Sequence, residues 1–512
     1  MGRKDKVIKN VSSQMFATLV QSLLGFIIRR TFLDCLGQSL LGLNGLMTSI
    51  IGMLSLVELG VGEAINFSLY EPLAKGDHKQ VNAIMKLYKK LYISIGGIIT
   101  ALGIVLFPFL HLLVETEVSM SIVYQTYGLF LINNLFSYLF AYNRNIISAD
   151  QKDYIVINTD TVGQIALNIS QLIVLLLTRN YYLHLILQII STFARNYYIS
   201  LKAKKLYPYI NQKDAQPLTK EYIHNLVNNV KALFITRVAY FCVSGTDNIL
   251  LSSFVSLSSV AIYNNYVTIL NLFNNTFNMI ISKARSVIAN YMVLNEIENS
   301  YMLFKRIFFV NFIITSYTSI GIFVVCNEVI CVWLGEGNTW PLLIIGLLVY
   351  NNYSRYILQT CEAFRGAAGL YSPRPFVKYV SLLEGIVNLV FSLIFIKILD
   401  NPIIGIFLGT SVSTIVSTIT VPWIVYHFLF KISLFEFYIL YFKYFLVMII
   451  TLFISNSIFQ MVLVESHLLN VVSGIIVCSM TTLVIYVGLF HQSDEYRYIM
   501  NIVKSYLKKG DK

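Results

Sequence analysis

Fourteen apolar stretches separated by short polar gaps organise the chain: residues 13–34, 41–69, 91–113, 121–142, 155–177, 181–201, 232–254, 260–281, 307–331, 341–361, 377–396, 402–428, 438–459 and 468–490. Each is long enough to cross a bilayer, which takes about 20 apolar residues. Inside hydrocarbon the backbone polar groups of such stretches are satisfied as helices. The boundary between 155–177 and 181–201 rests on Thr178, Arg179 and Asn180 alone. The expected fold class is an all-α integral membrane protein with 14 transmembrane helices.

Charge alternates across these gaps. One set holds Lys75, Lys79, Lys86, Lys89 and Lys90, then Arg144 and Lys152, then Lys202, Lys204, Lys205, Lys213, Lys220 and Lys231, with Arg195 just before. With Lys283, Arg285, Lys305, Arg306, Arg365, Arg374, Lys378, Lys431, Lys443 and both tails, that side carries 32 of the 38 Lys and Arg residues. The opposite gaps carry Glu115, Glu117, Glu328, Glu336 and Glu465. Cytoplasmic loops concentrate Lys and Arg, so both termini are expected in the cytoplasm and the protein in a bacterial inner membrane. The outer gaps are all short, which leaves no room for a large periplasmic catalytic loop.

Composition agrees. The 512 residues are 56% hydrophobic and 12% charged, against roughly a quarter charged in soluble domains. The net charge of +12 is explained by loops held against an anionic leaflet, with no nucleic-acid partner. The six cysteines form no CxxC pair, so neither a disulfide framework nor a metal site is expected. Met1-Gly-Arg-Lys-Asp-Lys6 precedes an apolar run without a small-residue cleavage site, and an uncleaved first helix is the reading. No phosphate-binding loop, GxSxG or HExxH motif is present. The chain is therefore expected to be a transporter rather than an enzyme, without a cofactor.

The longest polar connection follows the sixth stretch. It divides the chain into an N-lobe at 1–201 (TM1–6), a cytoplasmic linker at 202–231, a C-lobe at 232–430 (TM7–12), and TM13–14 with a cytoplasmic tail at 431–512. Weak self-similarity supports two six-helix lobes. Leu36-Gly-Gln-Ser-Leu-Leu-Gly-Leu-Asn44 and Val255-Ser-Leu-Ser-Ser-Val-Ala-Ile-Tyr263 lie at an offset of 219 and each joins two helices by a small-residue turn. An even repeat of this kind has its axis along the membrane normal.

Four arginines are not explained by loop anchoring: Arg29, Arg30, Arg237 and Arg355. A charge at the bilayer centre costs about 2.5–3.5 kcal/mol even on the lenient insertion scale, so such residues usually face a polar cavity or a partner. The functional reading is a cationic cavity for an anionic substrate, since the guanidinium fork matches phosphate oxygens in pairs. The structural alternative has Arg29 and Arg30 snorkelling from a short first helix with Asp34 as partner, and Arg237 reaching headgroups or pairing with Asp247. Glu58 and Glu63 lie beside Gly60 and Gly62, glycines that would loosen the helix as a hinge. Glu58 is a candidate for a coupling cation or for a fixed ion pair; Asp247 poses the same question. Glu362 and Glu384 are expected to be solvated near the cytoplasmic boundary.

Several segments resemble the Wzx-type polysaccharide flippases of the MOP superfamily, which also holds the MATE exporters and MurJ-type lipid II flippases. They are Leu36–Leu46 with Leu54-Ser-Leu-Val-Glu-Leu-Gly-Val-Gly-Glu-Ala-Ile65 and Ser68–Leu73; Thr246-Asp-Asn-Ile-Leu-Leu-Ser252 with Ala261–Tyr266; and Phe364-Arg-Gly-Ala-Ala-Gly-Leu370 with Glu384–Leu389 and Gly405–Thr410. The resemblance runs from residue 10 to about 430. It implies a V-shaped bundle of two six-helix lobes around a basic central cavity, with two added helices. It also implies translocation of undecaprenyl-diphosphate-linked oligosaccharide for O-antigen, capsule or another surface glycan. Arg29, Arg30, Arg237 and Arg355 fall in helices of the kind that line such a cavity. The implied partners are the lipid-linked oligosaccharide, membrane lipids, a polysaccharide polymerase and a chain-length regulator; coupling to Na+ or H+ is left open. The competing classes are a MATE-like drug exporter, which favours an acidic cavity, and a membrane glycosyltransferase or polymerase.

Overall fold

The computed structural model describes residues 3–58, 61–114, 117–212, 218, 245–294, 296–370 and 377–501. Among them the regular structure is helical throughout, without strands. The helices are α1 (Arg3–Leu36), α2 (Gln38–Leu54), α3 (Val61–Lys75), α4 (His78–Leu106), α5 (Met120–Ala149), α6 (Asp153–Thr178), α7 (Tyr181–Leu206), α8 (Thr246–Phe254), α9 (Leu257–Leu294), α10 (Ile297–Leu334), α11 (Leu342–Ile357), α12 (Gln359–Ala367), α13 (Val377–Ile398), α14 (Pro402–Val425), α15 (Leu434–Met461) and α16 (His467–Phe490). Thirteen of the fourteen apolar stretches fall on these helices. Of the seventh, only residues 245–254 are described, and Thr246–Phe254 of it is helical. Among the described residues, eight helical segments are long and apolar enough to span a membrane, so the chain is a multi-pass membrane protein; the full count of 14 stays an expectation.

The surface shows why the solvent is lipid. On α15 Phe435, Ile439, Phe442, Leu446, Ile450 and Phe453 are exposed and form one helical stripe of large apolar side chains. The opposite face buries Tyr441, Tyr444, Met448, Thr451 and Ser455. Leaving six such side chains in water instead of an apolar medium would cost on the order of 10–20 kcal/mol. On α16, Leu468, Val472, Ile476, Met480 and Leu483 repeat the arrangement.

Local chemistry sets the helix ends. Gly37 (φ 85°) and Gly76 (φ 72°) occupy the left-handed region at the α1–α2 and α3–α4 turns, which costs glycine little. Asp77 caps α4 by accepting from the Gln80 amide at 2.9 Å, and Asn180 caps α7 through the Leu183 amide at 3.1 Å. The short Thr178–Asn180 connection thus does separate two helices.

Two expected spans are broken. The stretch 41–69 divides into α2, a 3₁₀ turn at Ser55–Glu58, and α3. The stretch 341–361 divides at Leu358 between α11 and α12. At that bend the buried Asn311 of α10 donates to the carbonyls of Tyr356 (3.1 Å) and Ile357 (3.0 Å) and to Thr360 Oγ1 (2.9 Å). A side-chain amide here replaces the helix ladder, which membrane interiors require wherever a helix breaks.

The chain forms two compact units, Met1–Ala261 and Ile262–Lys512. The first is built on Leu43, Leu46, Met47 and Ile50 of α2, packed with Tyr88 of α4 and Tyr127, Ile146 and Ile147 of α5, all fully buried. The second is built on an aromatic cluster in which Phe304, Phe308 and Phe312 of α10 meet Phe437 and Tyr444 of α15; Phe312 stacks on Tyr444 at 4.3 Å between centroids. Helices α13 and α14 approach at backbone distance. Gly405 and Gly409 lie four residues apart, the small-residue spacing of close membrane helices. A Cβ at Gly409 would stand 2.2 Å from Ser392 Oγ and 2.4 Å from Ser392 N.

Candidate functional site

In the first unit the two self-similar turns pack against each other. Ser39 and Ser258, the residues related by the offset of 219, lie 3.4 Å apart through their hydroxyls. Both donate to Glu117 Oε2, Ser39 Oγ at 2.9 Å and Ser258 Oγ at 2.8 Å, and the Ser258 amide adds a third bond at 3.1 Å. That amide belongs to the first turn of α9, where backbone donors lack helical partners and a carboxylate is favoured. Beneath this clasp a Cβ at Gly42 would fall 1.8 Å from the Leu257 carbonyl oxygen, so only glycine lets α2 come this close. Deeper along α2, Asn248 Nδ2 donates to Ser49 Oγ at 2.9 Å.

Arg29 joins the same seam. It lies inside the apolar span Phe16–Leu36, and its Nη2 donates to the Ala261 carbonyl at 3.1 Å. The guanidinium is thus turned onto protein backbone. Arg30, one residue on, is half-exposed and its Nε donates to Asp34 Oδ2 at 2.8 Å, the pairing weighed as its structural alternative. Arg237 and Gly60 lie outside the described residues. Asp247 is buried in the first turn of α8.

Glu58 ends the 3₁₀ turn between α2 and α3. Its carboxylate accepts from the Tyr138 hydroxyl at 2.6 Å and from Tyr92. Among the described residues it makes no ion pair, so phenols rather than a cation hold it. Gly62 sits against this group: a Cβ there would be 3.3 Å from both Tyr88 Oη and Asn145 Nδ2. The helix break, Gly62 and the carboxylate therefore coincide.

In the second unit Arg355 lies near the end of α11, partly buried, close enough to Glu384 for their charges to interact. Glu384 is not left to solvent as expected: it is partly buried and accepts from Ser417 Oγ at 2.5 Å. Arg365 is buried and pairs with Glu362 at 2.9 Å.

Sequence reasoning missed two groups. Glu117 reads in sequence only as one of the outer-gap acids. Asp160 is a single charge in an apolar stretch, and nothing in its neighbourhood reveals that Arg144 and Arg195, assigned to loop anchoring, pair with it.

The sequence profile of the family described as polysaccharide biosynthesis protein matches residues 7–285. Among solved structures, the chain is similar to a lipid II flippase MurJ in an inward closed conformation, with a TM-score of 0.64 at 15% identity, covering 93% of this chain and 99% of that one. An inward-facing multidrug resistance MATE family transporter of the MOP superfamily matches with a TM-score of 0.56 at 12% identity, covering 79% and 93%. A MATE transporter of Vibrio cholerae matches with 0.55 at 17% identity, covering 84% and 98%. At these identities the likeness concerns the fold, which is MurJ- and MATE-like. These solved structures are a flippase and transporters rather than enzymes. No curated protein sequence matches the chain.

Proposed function

The chain belongs to the polysaccharide biosynthesis protein family, and from this premise we propose that it moves a lipid-linked oligosaccharide across the bacterial inner membrane by alternating access. The carrier is an undecaprenyl diphosphate, and the glycan is destined for O-antigen, capsule or another surface polysaccharide. A polymerase and a chain-length regulator act on the translocated unit. The fold likeness to a lipid II flippase supports an amphiphilic cargo of this kind.

The observation that carries the reading is Arg29. A guanidinium in an apolar span, directed at a backbone carbonyl inside the first unit, is expensive to keep there. Its fork geometry suits a diphosphate. Arg355 in the second unit and Arg237 in the seventh apolar stretch are its counterparts in this proposal, while Glu58 and its phenols, beside the hinge at Gly60 and Gly62, form the candidate coupling site for H+ or Na+.

The test is surface glycan display in cells carrying Arg29→Ala, Arg355→Ala or the Lys replacements. The Ala variants are expected to abolish display at normal protein levels in the membrane, and Lys to recover only part, because a point charge lacks the bidentate fork. Full display by both Ala variants would remove these arginines from the mechanism.

A further inference from the structure

The first unit holds a second cationic group, on α5, α6 and α7. Arg144 of α5 donates through Nη2 to Asp160 Oδ2 of α6 and through Nη1 to Asn196 Oδ1 of α7 at 2.6 Å. Arg195 of α7 donates through Nη1 to Gln164 Oε1 at 3.2 Å and through Nε to the Ser191 carbonyl at 3.3 Å. Its Nη1 stands 4.0 Å from Asp160 Oδ1. Two guanidiniums therefore share one carboxylate. A guanidinium carries five donor hydrogens, and the Nη2 pair of Arg195 donates to none of the described residues.

The arrangement is built. A Cβ at Gly163 would fall 2.4 Å from Arg195 Cδ, so the glycine makes the notch in which the arginine stem lies. Neither guanidinium is sealed: the Arg144, Asp160 and Arg195 side chains keep 24%, 28% and 21% of their exposure. Arg144 lies five residues before the end of α5 and Asp160 seven residues after the start of α6, about 8–10 Å along the helices from the loop that joins them. That loop carries Lys152, on the side read as cytoplasmic. The surplus positive charge thus sits near the inner edge of the headgroup zone, where an unpaired charge is costly. A phosphate carried on a lipid is held at this depth by its own tail, which a free anion lacks.

We propose that Arg144 and Arg195 form a binding site for the phosphate ester of a membrane amphiphile. Arg195 Nη2 supplies the free donors, and Asp160 with Asn196 holds Arg144 in place. Two sources share this chemistry, a phospholipid headgroup and a polyprenyl diphosphate. The proposal does not require the transport reading.

Native mass spectrometry of the purified full chain tests it, with three probes: a polyprenyl diphosphate, phosphatidylglycerol, and uncharged diacylglycerol. The wild type is expected to retain at least one phosphate-bearing amphiphile and not diacylglycerol. Arg195→Gln should lower that retention about tenfold, and Arg195→Lys should restore part of it. Loss of the polyprenyl diphosphate alone would identify a cargo subsite; loss of phosphatidylglycerol alone would identify a lipid site. Pyrophosphate added to the wild type should release the bound amphiphile, a readout that does not depend on any variant folding. Unchanged retention in a folded Arg195→Gln protein, no release by pyrophosphate, or equal binding of diacylglycerol would overturn the proposal.

Discussion

Glu117 holds together the two turns that are alike in sequence, and removing its carboxylate has a calculable local effect. Three hydrogen bonds end on Oε2, from Ser39 Oγ, Ser258 Oγ and the Ser258 amide. Bonds to a charged group contribute about 1.5–3 kcal/mol each when sheltered, but this carboxylate is exposed and water competes, so about 0.5–1 kcal/mol each is the appropriate scale. Glu117→Ala therefore weakens the docking of the α9 N-terminus by about 2 kcal/mol, or roughly 30-fold in the local opening equilibrium. Glu117→Gln keeps one acceptor oxygen without the charge and should cost about 1 kcal/mol, roughly 5-fold. Hydrogen–deuterium exchange of the Ser258 amide reads this directly, since in the fast-reclosing regime the rate follows the opening constant. The expected order is alanine fastest, glutamine intermediate, wild type slowest, with the α10 and α15 amides unchanged. Equal Ser258 exchange in all three proteins would refute the clasp, as would a uniform acceleration across both units.

Two further outcomes follow from the packing and the charge pattern. Gly409→Ala should destabilise the protein by about 1–3 kcal/mol in a nanodisc melting experiment, because its Cβ enters the Ser392 backbone; Gly97→Ala, with no atom within 4 Å of its Cβ, should be neutral or stabilising by up to about 1 kcal/mol. A topology reporter fused at Lys213 should read cytoplasmic and one at Glu336 external, and the reverse would overturn the orientation drawn from the basic gaps.

What could be read from the chain follows the physics of each signal. Apolar stretches report helices because the bilayer imposes both length and hydrogen bonding, and even the narrow Thr178–Asn180 break was legible. The two turns at Leu36–Asn44 and Val255–Tyr263 were visible as a repeat, but their contact through Glu117 was not, because a repeat says nothing about which copies touch. The breaks at Ser55–Glu58 and Leu358 escaped for a related reason. The groups that support them, Tyr92 and Tyr138 for the first and Asn311 for the second, come from distant helices. Arg144 and Arg195 stand close to loops in sequence and read as loop anchors; Asp160, which draws them together, carries no local signature. The position of Glu384 alone points to solvent, whereas Ser417 of the neighbouring helix partners it.

The central claim is movement of a lipid-linked glycan, and the most direct measurement uses the purified chain in sealed vesicles loaded with an undecaprenyl-diphosphate-linked oligosaccharide. A membrane-impermeant glycosidase outside the vesicles trims whatever reaches the outer leaflet. The account predicts that nearly all of the glycan becomes accessible with the wild-type protein and about half in protein-free vesicles, with Arg29→Ala close to the protein-free level. Equal trimming with and without the wild-type protein would contradict it.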